Sequence, residues 1–435
     1  MNRPVALPDP YPIEPISAPL NAVVSIPGSK SITNRALLCA ALAHGSTHLS
    51  GVLFADDTEA MLGCISALGA QVDVDRENCS VQITGMGGQL HPDSEGLLNA
   101  VQSGTTARFI AAAMMLSRRD LILDASPQMR ARPMATAFEA LRSLGAIVDE
   151  TDLPGFLPAR IRGTAHSAQP SVRLAGDISS QFISGLLLVA PCLEFGLRLE
   201  LTTVAVSAPY LAMTVSVMRS FGAVVQDLGD GAYVVEPGGY TGLEYAVEPD
   251  ASAASYFFAA AAICGGSVRI DGLGSNSIQG DVGFVEVLSQ MGATVQVSPE
   301  SITVVGGPVS GVRADFRDIS DTAQTIAAVA VFADGPTVIS GIGFIRAKET
   351  NRIAAVVSEL RRCGVNANEL DDGFEIHPGP LRPAVVQTYD DHRMAMSFAL
   401  IGLGSAGIQI ADPSCVSKTF PDFFEVLESI RPELP

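Results

Sequence analysis

An amphipathic stretch that ends in glycine, followed by a small apolar residue and a β-like run, occurs five times along the chain. The junctions are Leu68-Gly69-Ala70, Leu144-Gly145-Ala146, Phe221-Gly222-Ala223, Met291-Gly292-Ala293 and Cys363-Gly364-Val365, with the glycines 76, 77, 70 and 72 residues apart. A glycine at that place fits the left-handed residue just past a helix C-terminus. A sixth helical pattern, Asp422 to Ile430, follows at the next interval. Units of this length exceed the common solenoid repeats, and six of them divide naturally as three plus three. Within units, helical stretches such as Thr33–Ala43 alternate with strand-like runs such as Leu121–Asp124 and Tyr233–Glu236. The pattern predicts an α/β (α+β) protein with internal pseudo-symmetry. The turn-rich segment Pro237-Gly238-Gly239-Tyr240-Thr241-Gly242 is the candidate lobe boundary.

At 435 residues the chain has room for two or three domains with large cores. Hydrophobic residues make up 47%, yet no apolar run approaches the roughly 18–20 residues needed to span a bilayer. The longest, Tyr256 to Cys264 and Thr325 to Ala333, are short and Ala-rich and read as buried helix segments. The start of the chain is proline-rich (Pro4, Pro8, Pro10, Pro12, Pro15, Pro19) and has no cationic region leading into an apolar stretch, unlike a signal or transit peptide. The expectation is a soluble, cytoplasmic protein. The seven cysteines (39, 64, 79, 192, 264, 363, 415) form no C-x-x-C pair and the six histidines no ligand spacing, which argues against a disulfide framework and a metal site.

The net charge of −19 argues against nucleic acid or an anionic membrane as partner. An acidic protein can still bind anions if its cations are concentrated. Only three of the 27 basic residues are lysine: Lys30 in P-G-S-K-S, Lys348 in R-A-K-E-T-N-R and Lys418 in S-K-T-F-P-D. Base composition accounts for few lysines on the surface but not for where these three lie, in dense polar clusters. A compact ammonium differs from a guanidinium where a point charge or a labile proton is wanted.

Pro27-Gly28-Ser29-Lys30-Ser31 follows a strand and precedes a helix near Thr33, so its free N–H groups favour phosphate or carboxylate, with Lys30 and Arg35 reinforcing them. It lacks the spacing of a Walker A loop. Ser103-Gly104-Thr105-Thr106-Ala107-Arg108 opens a helix in the same manner. The stretch Asp124 to Pro133 carries Arg130 and Arg132, while Ser179-Ser180-Gln181 and Ser207-Ala208-Pro209-Tyr210 supply hydroxyls and an amide before further helices. Each alone is more often a cap or turn than a ligand site; their number is harder to dismiss. Asp321 precedes an apolar helix and alone reads as a cap, and Arg346 to Arg352 alone reads as a solvated helix face. Tyr389-Asp390-Asp391-His392-Arg393 again sets acid, imidazole and guanidinium before a buried helix. Carboxylates beside cations have the makings of proton transfer on an anionic substrate.

In order and spacing, P-G-S-K-S-x-x-N-R, S-G-T-x-x-R, S-P-Q-M-R-x-R-P, S-S-Q-F, S-x-P-Y, E-P-D-A-S-A-A-S-Y, Q-G-D-V, K-E-T-N-R, D-D-H-R-M-A-M and K-T-F-P-D resemble the 5-enolpyruvylshikimate-3-phosphate synthase family, from about Asn21 to Glu425. The resemblance implies two lobes, each of three βαβαββ units with pseudo-threefold symmetry (an inside-out α/β barrel). Residues 29–247 would form the lobe of repeats one to three, mainly binding shikimate 3-phosphate. Residues 1–28 and 248–435 would form the lobe of repeats four to six, with the catalytic carboxylates and phosphoenolpyruvate-binding cations. It further implies an active site in the cleft between lobes, no metal or organic cofactor, small-molecule substrates as partners, and a monomer.

By that resemblance, phosphoenolpyruvate lies near Lys30, Gly104, Arg132, Gln181, Arg352, Arg393 and Lys418. Shikimate 3-phosphate meets Lys30, Ser31, Arg35, Ser179, Ser180, Gln181, Ser207, Tyr210, Asp321 and Lys348. The catalytic set is Asp321, Glu349, Lys30 and His392. Both substrates carry phosphate and carboxylate, which suit bidentate arginines and helix N-termini. Glyphosate, the family's inhibitor, is implied to occupy the phosphoenolpyruvate region. Gln102, Phe344, Gln128 and Ala208 depart from residues common in the family, at secondary contacts to substrate. The family of UDP-N-acetylglucosamine enolpyruvyl transferases shares fold and donor, but its hallmark cysteine is absent from Ser126 to Arg132. A non-catalytic anion-binding relative should have lost charged groups that this chain keeps.

Overall fold

The computed structural model of the chain describes residues 7–92, 96–164 and 170–432; Pro4, the first of the N-terminal prolines, lies outside them. Each of the five glycine junctions ends a helix: Asp56–Ala67, Ala135–Ser143, Ala208–Ser220, Phe284–Gln290 and Arg352–Arg362. The glycines follow with φ of 110°, 91°, 90°, 109° and 94°. After each, the next N–H returns to the carbonyl five residues back: Ala70 to Ile65 (3.1 Å), Ala146 to Leu141 (2.9 Å), Ala223 to Met218 (3.1 Å), Ala293 to Leu288 (3.0 Å) and Val365 to Leu360 (3.0 Å). This is the Schellman closure, which needs a residue without a Cβ penalty at positive φ and an apolar residue after it. The sixth helix, Phe423–Ser429, ends at Ile430 without one.

The chain forms two compact units, Gly28–Glu248 and the described residues of Met1–Pro27 with Pro249–Pro435. The segment 237–242 lies inside the first, where Tyr240–Thr241 pairs in parallel with Ala43–His44. That unit holds three four-stranded sheets of one design. In each, a first strand runs parallel to a second, which continues into an antiparallel pair: Glu244–Ala246 with Ser46–Ser50, Leu97–Asn99 with Leu121–Asp124, and Ser171–Leu174 with Leu197–Leu201. The second unit repeats it with Leu20–Val23 beside Gly266–Asp271 and Arg313–Asp315 beside Thr337–Ser340. Its third sheet has Ala384–Val386 beside Ile408–Ile410, with Tyr11–Pro12 as the antiparallel strand. Five of the repeats are therefore βαβαββ, and the sixth has the single strand Tyr11–Pro12 in place of the closing pair. The opening strand of the first repeat is Glu244–Ala246 at the C-terminal end of one unit and Leu20–Val23 from the N-terminal segment of the other, each just before the chain passes over at 248–249 or 27–28.

The two helices of a repeat differ in burial. All ten residues of Gly104–Ala113, all eight of Ala323–Ala330 and twelve of the thirteen of His392–Gly404 are buried. Lys30–Leu42, Ser180–Val189 and Ala251–Cys264 are nearly as enclosed, and within each unit the three inner helices pack on one another. The glycine-terminated helices are amphipathic and cover one flank. The strands alternate buried and exposed residues, one face on the helices and one toward solvent. Small side chains let sheet and helix approach closely: a Cβ on Gly306 would fall 2.0 Å from the Ala261 carbonyl. The sheets stay separate, so helices inside and sheets outside, rather than a closed strand ring, define the architecture.

Candidate active site

The inner helices put motif residues at their N-termini. Ser29, Ser103, Ser179, Asp250 and Asp391 are N-caps whose side chains accept from Ile32 (3.5 Å), Thr106 (3.2 Å), Gln181 (3.3 Å), Ala253 (2.9 Å) and Arg393 (3.0 Å). The first turns beyond them carry Lys30, Gly104, Ser180, Ala251 and His392. The sixth inner helix is entered through a 3₁₀ turn, Ser320–Thr322, that carries Asp321. The helix expected near Thr33 begins three residues earlier, because Ser29 caps it and its first turn is polar.

In the unit Gly28–Glu248, the Lys30 ammonium lies 3.3 Å from the carboxylate of buried Asp57. Gly104 faces two guanidinium groups so closely that a Cβ would fall 2.4 Å from Arg108 Nη1 and 2.8 Å from Arg132 Nη1. Gln181 Nε2 donates to Thr105 Oγ1 at 3.2 Å, joining the second and third inner helices there. Arg35 is buried and donates to Thr214 Oγ1 (2.8 Å), the Ser31 carbonyl (2.8 Å), Ser184 Oγ (3.3 Å) and the Tyr210 carbonyl (3.3 Å). Burial pushes its guanidinium down to about 10, and the Phe109 and Tyr210 rings lie 5.3 and 6.0 Å from it. Ser207 enters the Tyr210 helix with φ 54°, which turns the Ser207 carbonyl to accept from the Tyr210 N–H at 3.0 Å.

Next to Gly104, Val101 also has positive φ, 50°, with its carbonyl held by the Ser126 N–H at 2.8 Å. A β-branched residue there costs about 1–2 kcal/mol. Glycine would remove that strain at an entropic cost of about 0.5–1 kcal/mol, and the half-exposed valine has little burial to lose. Val101→Gly is expected to stabilise the protein by roughly 0.5–1 kcal/mol in urea unfolding. A midpoint at or below the parent's would show that the turn stores no strain.

In the other unit the charges interlock. Asp321 accepts from Lys348 Nζ (2.6 Å), Arg352 Nη1 (3.2 Å) and Arg393 Nη2 (2.7 Å). Arg352, 1% exposed, also reaches Glu349 (2.8 Å) and, through Nε and Nη2, both oxygens of Asp391 (2.8 and 3.2 Å). The reading of residues 346–352 as a solvated helix face does not hold. Asn351 caps the helix by accepting from Ala354, so Lys348–Thr350 form a turn and Arg352 opens the helix inward. Burial lowers the Lys348 ammonium despite Asp321. The Arg352 guanidinium is held well above its usual range because the Asp391, Glu349 and Asp321 carboxylates outweigh burial.

Phe344, where the family often has asparagine, places its ring 5.7 Å from Lys348 Nζ, a cation–π contact instead of an amide. His392 is buried with Nδ1 3.7 Å from Asp391 Oδ1, and Lys418, 2% exposed, closes the 3₁₀ turn Pro413–Lys418. The site also gathers residues that composition did not single out. Asp281 is bonded by the Ser252 hydroxyl and pushed up to about 6 by burial and by Asp321. Tyr256 lies 3.4 Å from Arg393 Nη1. Among the described residues no group of three or more His, Cys, Asp or Glu is placed to hold a metal ion. None of their helices is long and apolar enough to cross a membrane.

Helix N-termini, buried arginines and paired carboxylates on six related α/β repeats define an α/β protein built to handle anions. A profile of the family described as EPSP synthase (3-phosphoshikimate 1-carboxyvinyltransferase) matches residues 15–427. The 3-phosphoshikimate 1-carboxyvinyltransferase of Nostoc punctiforme is 43% identical over 419 residues, covering 96% of this chain and 98% of the relative. That of Proteus mirabilis is 40% identical over 414 residues, 94% and 96% of the two chains. The solved structure of EPSP synthase from Acinetobacter baumannii superposes with a TM-score of 0.81 at 26% identity, covering 97% of this chain and 98% of that one. The chain belongs to the EPSP synthase family.

Proposed function

We infer that the chain transfers the enolpyruvyl group of phosphoenolpyruvate to the 5-hydroxyl of shikimate 3-phosphate, giving 5-enolpyruvylshikimate 3-phosphate and phosphate. The observation that carries this beyond family membership is the pair of carboxylates, Asp321 and Glu349, joined through one buried arginine, Arg352. Addition–elimination needs a proton delivered to C3 of phosphoenolpyruvate, a nucleophilic hydroxyl at C2, and removal of a methyl proton as phosphate leaves. In this reading Glu349 gives and retakes the proton at C3, and Asp321 orients or deprotonates the hydroxyl. Lys30 and Lys418 offset charge on the departing phosphate, and His392 supports the acid–base set. Arg132, Arg352 and Arg393, with Gly104 and Gln181, hold phosphoenolpyruvate. Ser31, Arg35, Ser179, Ser180, Ser207, Tyr210 and Lys348 hold shikimate 3-phosphate. Residues 29–247 thus mainly bind shikimate 3-phosphate, and 248–435 supply the carboxylates and most phosphoenolpyruvate-binding cations. The free state of all seven cysteines fits a reducing cytoplasm, and a site assigned wholly within one chain is compatible with a monomer as the working unit.

A coupled assay of phosphate release tests the reading. Turnover with shikimate 3-phosphate and none with UDP-N-acetylglucosamine is expected; the reverse, or phosphate release with neither, overturns it.

The crowding at Gly104 gives a second check. An alanine methyl must displace the ends of the Arg108 and Arg132 side chains, which are flexible, so folding survives while the cations move. Gly104→Ala is expected to raise KM for phosphoenolpyruvate at least about 10-fold, the scale of one charged hydrogen bond weakened. It should weaken competitive inhibition by glyphosate by more. Unchanged KM and inhibition would remove Gly104 from the phosphoenolpyruvate region.

A further inference from the structure

The loop that delivers Asp391, His392 and Arg393 has an uncommon backbone. Tyr389 and Asp390 both have positive φ, 57° and 55°, although neither is glycine. Two left-handed residues in succession need outside support. Glu359, whose carboxylate is fully buried, supplies it. One of its oxygens accepts from the Tyr389 hydroxyl at 2.7 Å, and the other accepts from the Gln387 N–H at 2.9 Å and Arg362 Nε at 2.8 Å. Glu359 stands seven residues after Arg352 on the same helix, two turns along one face. Arg352 grips Asp391 from that face, so the helix holds the loop at both ends, 387–389 through Glu359 and 391 through Arg352.

We propose that Glu359 is a positioning residue for the reaction: its grip on Gln387 and Tyr389 holds the left-handed pair and thereby sets the Asp391–Arg352 contact and the direction of Arg393. This rests on the function inferred above, in which Arg352 and Arg393 hold phosphoenolpyruvate. Glu359 touches no reacting atom. A glutamine there, its oxygen toward the Gln387 N–H and its amide toward the Tyr389 hydroxyl, keeps neutral contacts but loses the charge that strengthens them and the ion pair with Arg362. The loop should then loosen, the arginines lose register, and phosphoenolpyruvate binding weaken.

The test uses the full chain with Glu359→Gln and the milder Tyr389→Phe, which removes one hydroxyl from a half-exposed ring. Hydrogen exchange of the 387–391 segment, followed by mass spectrometry, reads the clamp without any substrate. Steady-state kinetics reads its consequence. Faster exchange at 387–391, with KM for phosphoenolpyruvate raised at least about 5-fold in Glu359→Gln and by a smaller factor in Tyr389→Phe, is expected. A role in stability alone would lower the amount of active enzyme and the melting temperature without moving KM, and that result overturns the proposal, as does unchanged exchange. Should Glu359→Gln fail to fold, Tyr389→Phe decides by the same two readouts. A parent protein that fails to release phosphate from the substrate pair would refute the functional reading, while the exchange data would still decide whether Glu359 holds the loop.

Discussion

Glu349→Gln should lower turnover by at least about 10²-fold while leaving KM for both substrates and the melting temperature nearly unchanged. The substitution keeps the shape of the side chain and an oxygen for Arg352 Nη2, now 2.8 Å from Glu349 Oε2. Arg352 retains Asp321 and both oxygens of Asp391, so the buried cation is not stranded. What disappears is the carboxyl's capacity to give and take a proton, and an amide cannot supply it. Loss confined to kcat is the signature of a group that acts in the transition state and not in ground-state binding. Turnover within two- or three-fold of the parent would remove Glu349 from the mechanism and leave it as one more partner of Arg352.

Much of the fold was legible because its repeating element has a strict local demand. The Schellman turn needs glycine at one position and an apolar residue at the next, and both persist at Gly69, Gly145, Gly222, Gly292 and Gly364. The rarity of lysine was similarly informative: Lys30 and Lys348 are partly buried, Lys418 is buried, and Lys30 and Lys348 pair with carboxylates. What the sequence hid depends on tertiary enclosure. Nothing in D-D-T-E marks Asp57 as the partner of Lys30, and Glu359 sits in an ordinary amphipathic pattern. Asp281 becomes a perturbed carboxyl only because the fold buries it near Asp321. Residues 346–352 misled for the same reason: four charges in seven residues look solvated until the Asn351 cap turns Arg352 inward. Turn chemistry at 237–242 marks a turn and a short parallel pairing, while the passage between units falls at Glu248–Pro249.

Arg352→Met should destabilise its unit by about 3–5 kcal/mol, the cost of removing one partner from a buried ion pair. Methionine fills a similar volume, so the loss is electrostatic and not a cavity. Three carboxylates meet the guanidinium, but they do not suffer equally. Asp321 keeps Lys348 and Arg393, and Glu349 is partly exposed, whereas Asp391 is fully enclosed and gave both oxygens to Arg352. In the variant the Asp391 carboxylate is buried without that cation, and its charge is left uncompensated. Asparagine at 391 can still cap the helix by accepting from the Arg393 N–H, now 3.0 Å from Asp391 Oδ1, and carries no charge to strand. Combining Asp391→Asn with Arg352→Met should then recover at least about 1–2 kcal/mol of the loss, as a coupled pair requires. Denaturant unfolding of the parent, both single variants and the double variant measures this directly. Additive losses would mean that Arg352 stabilises the unit by packing, and that its charge serves only the substrates.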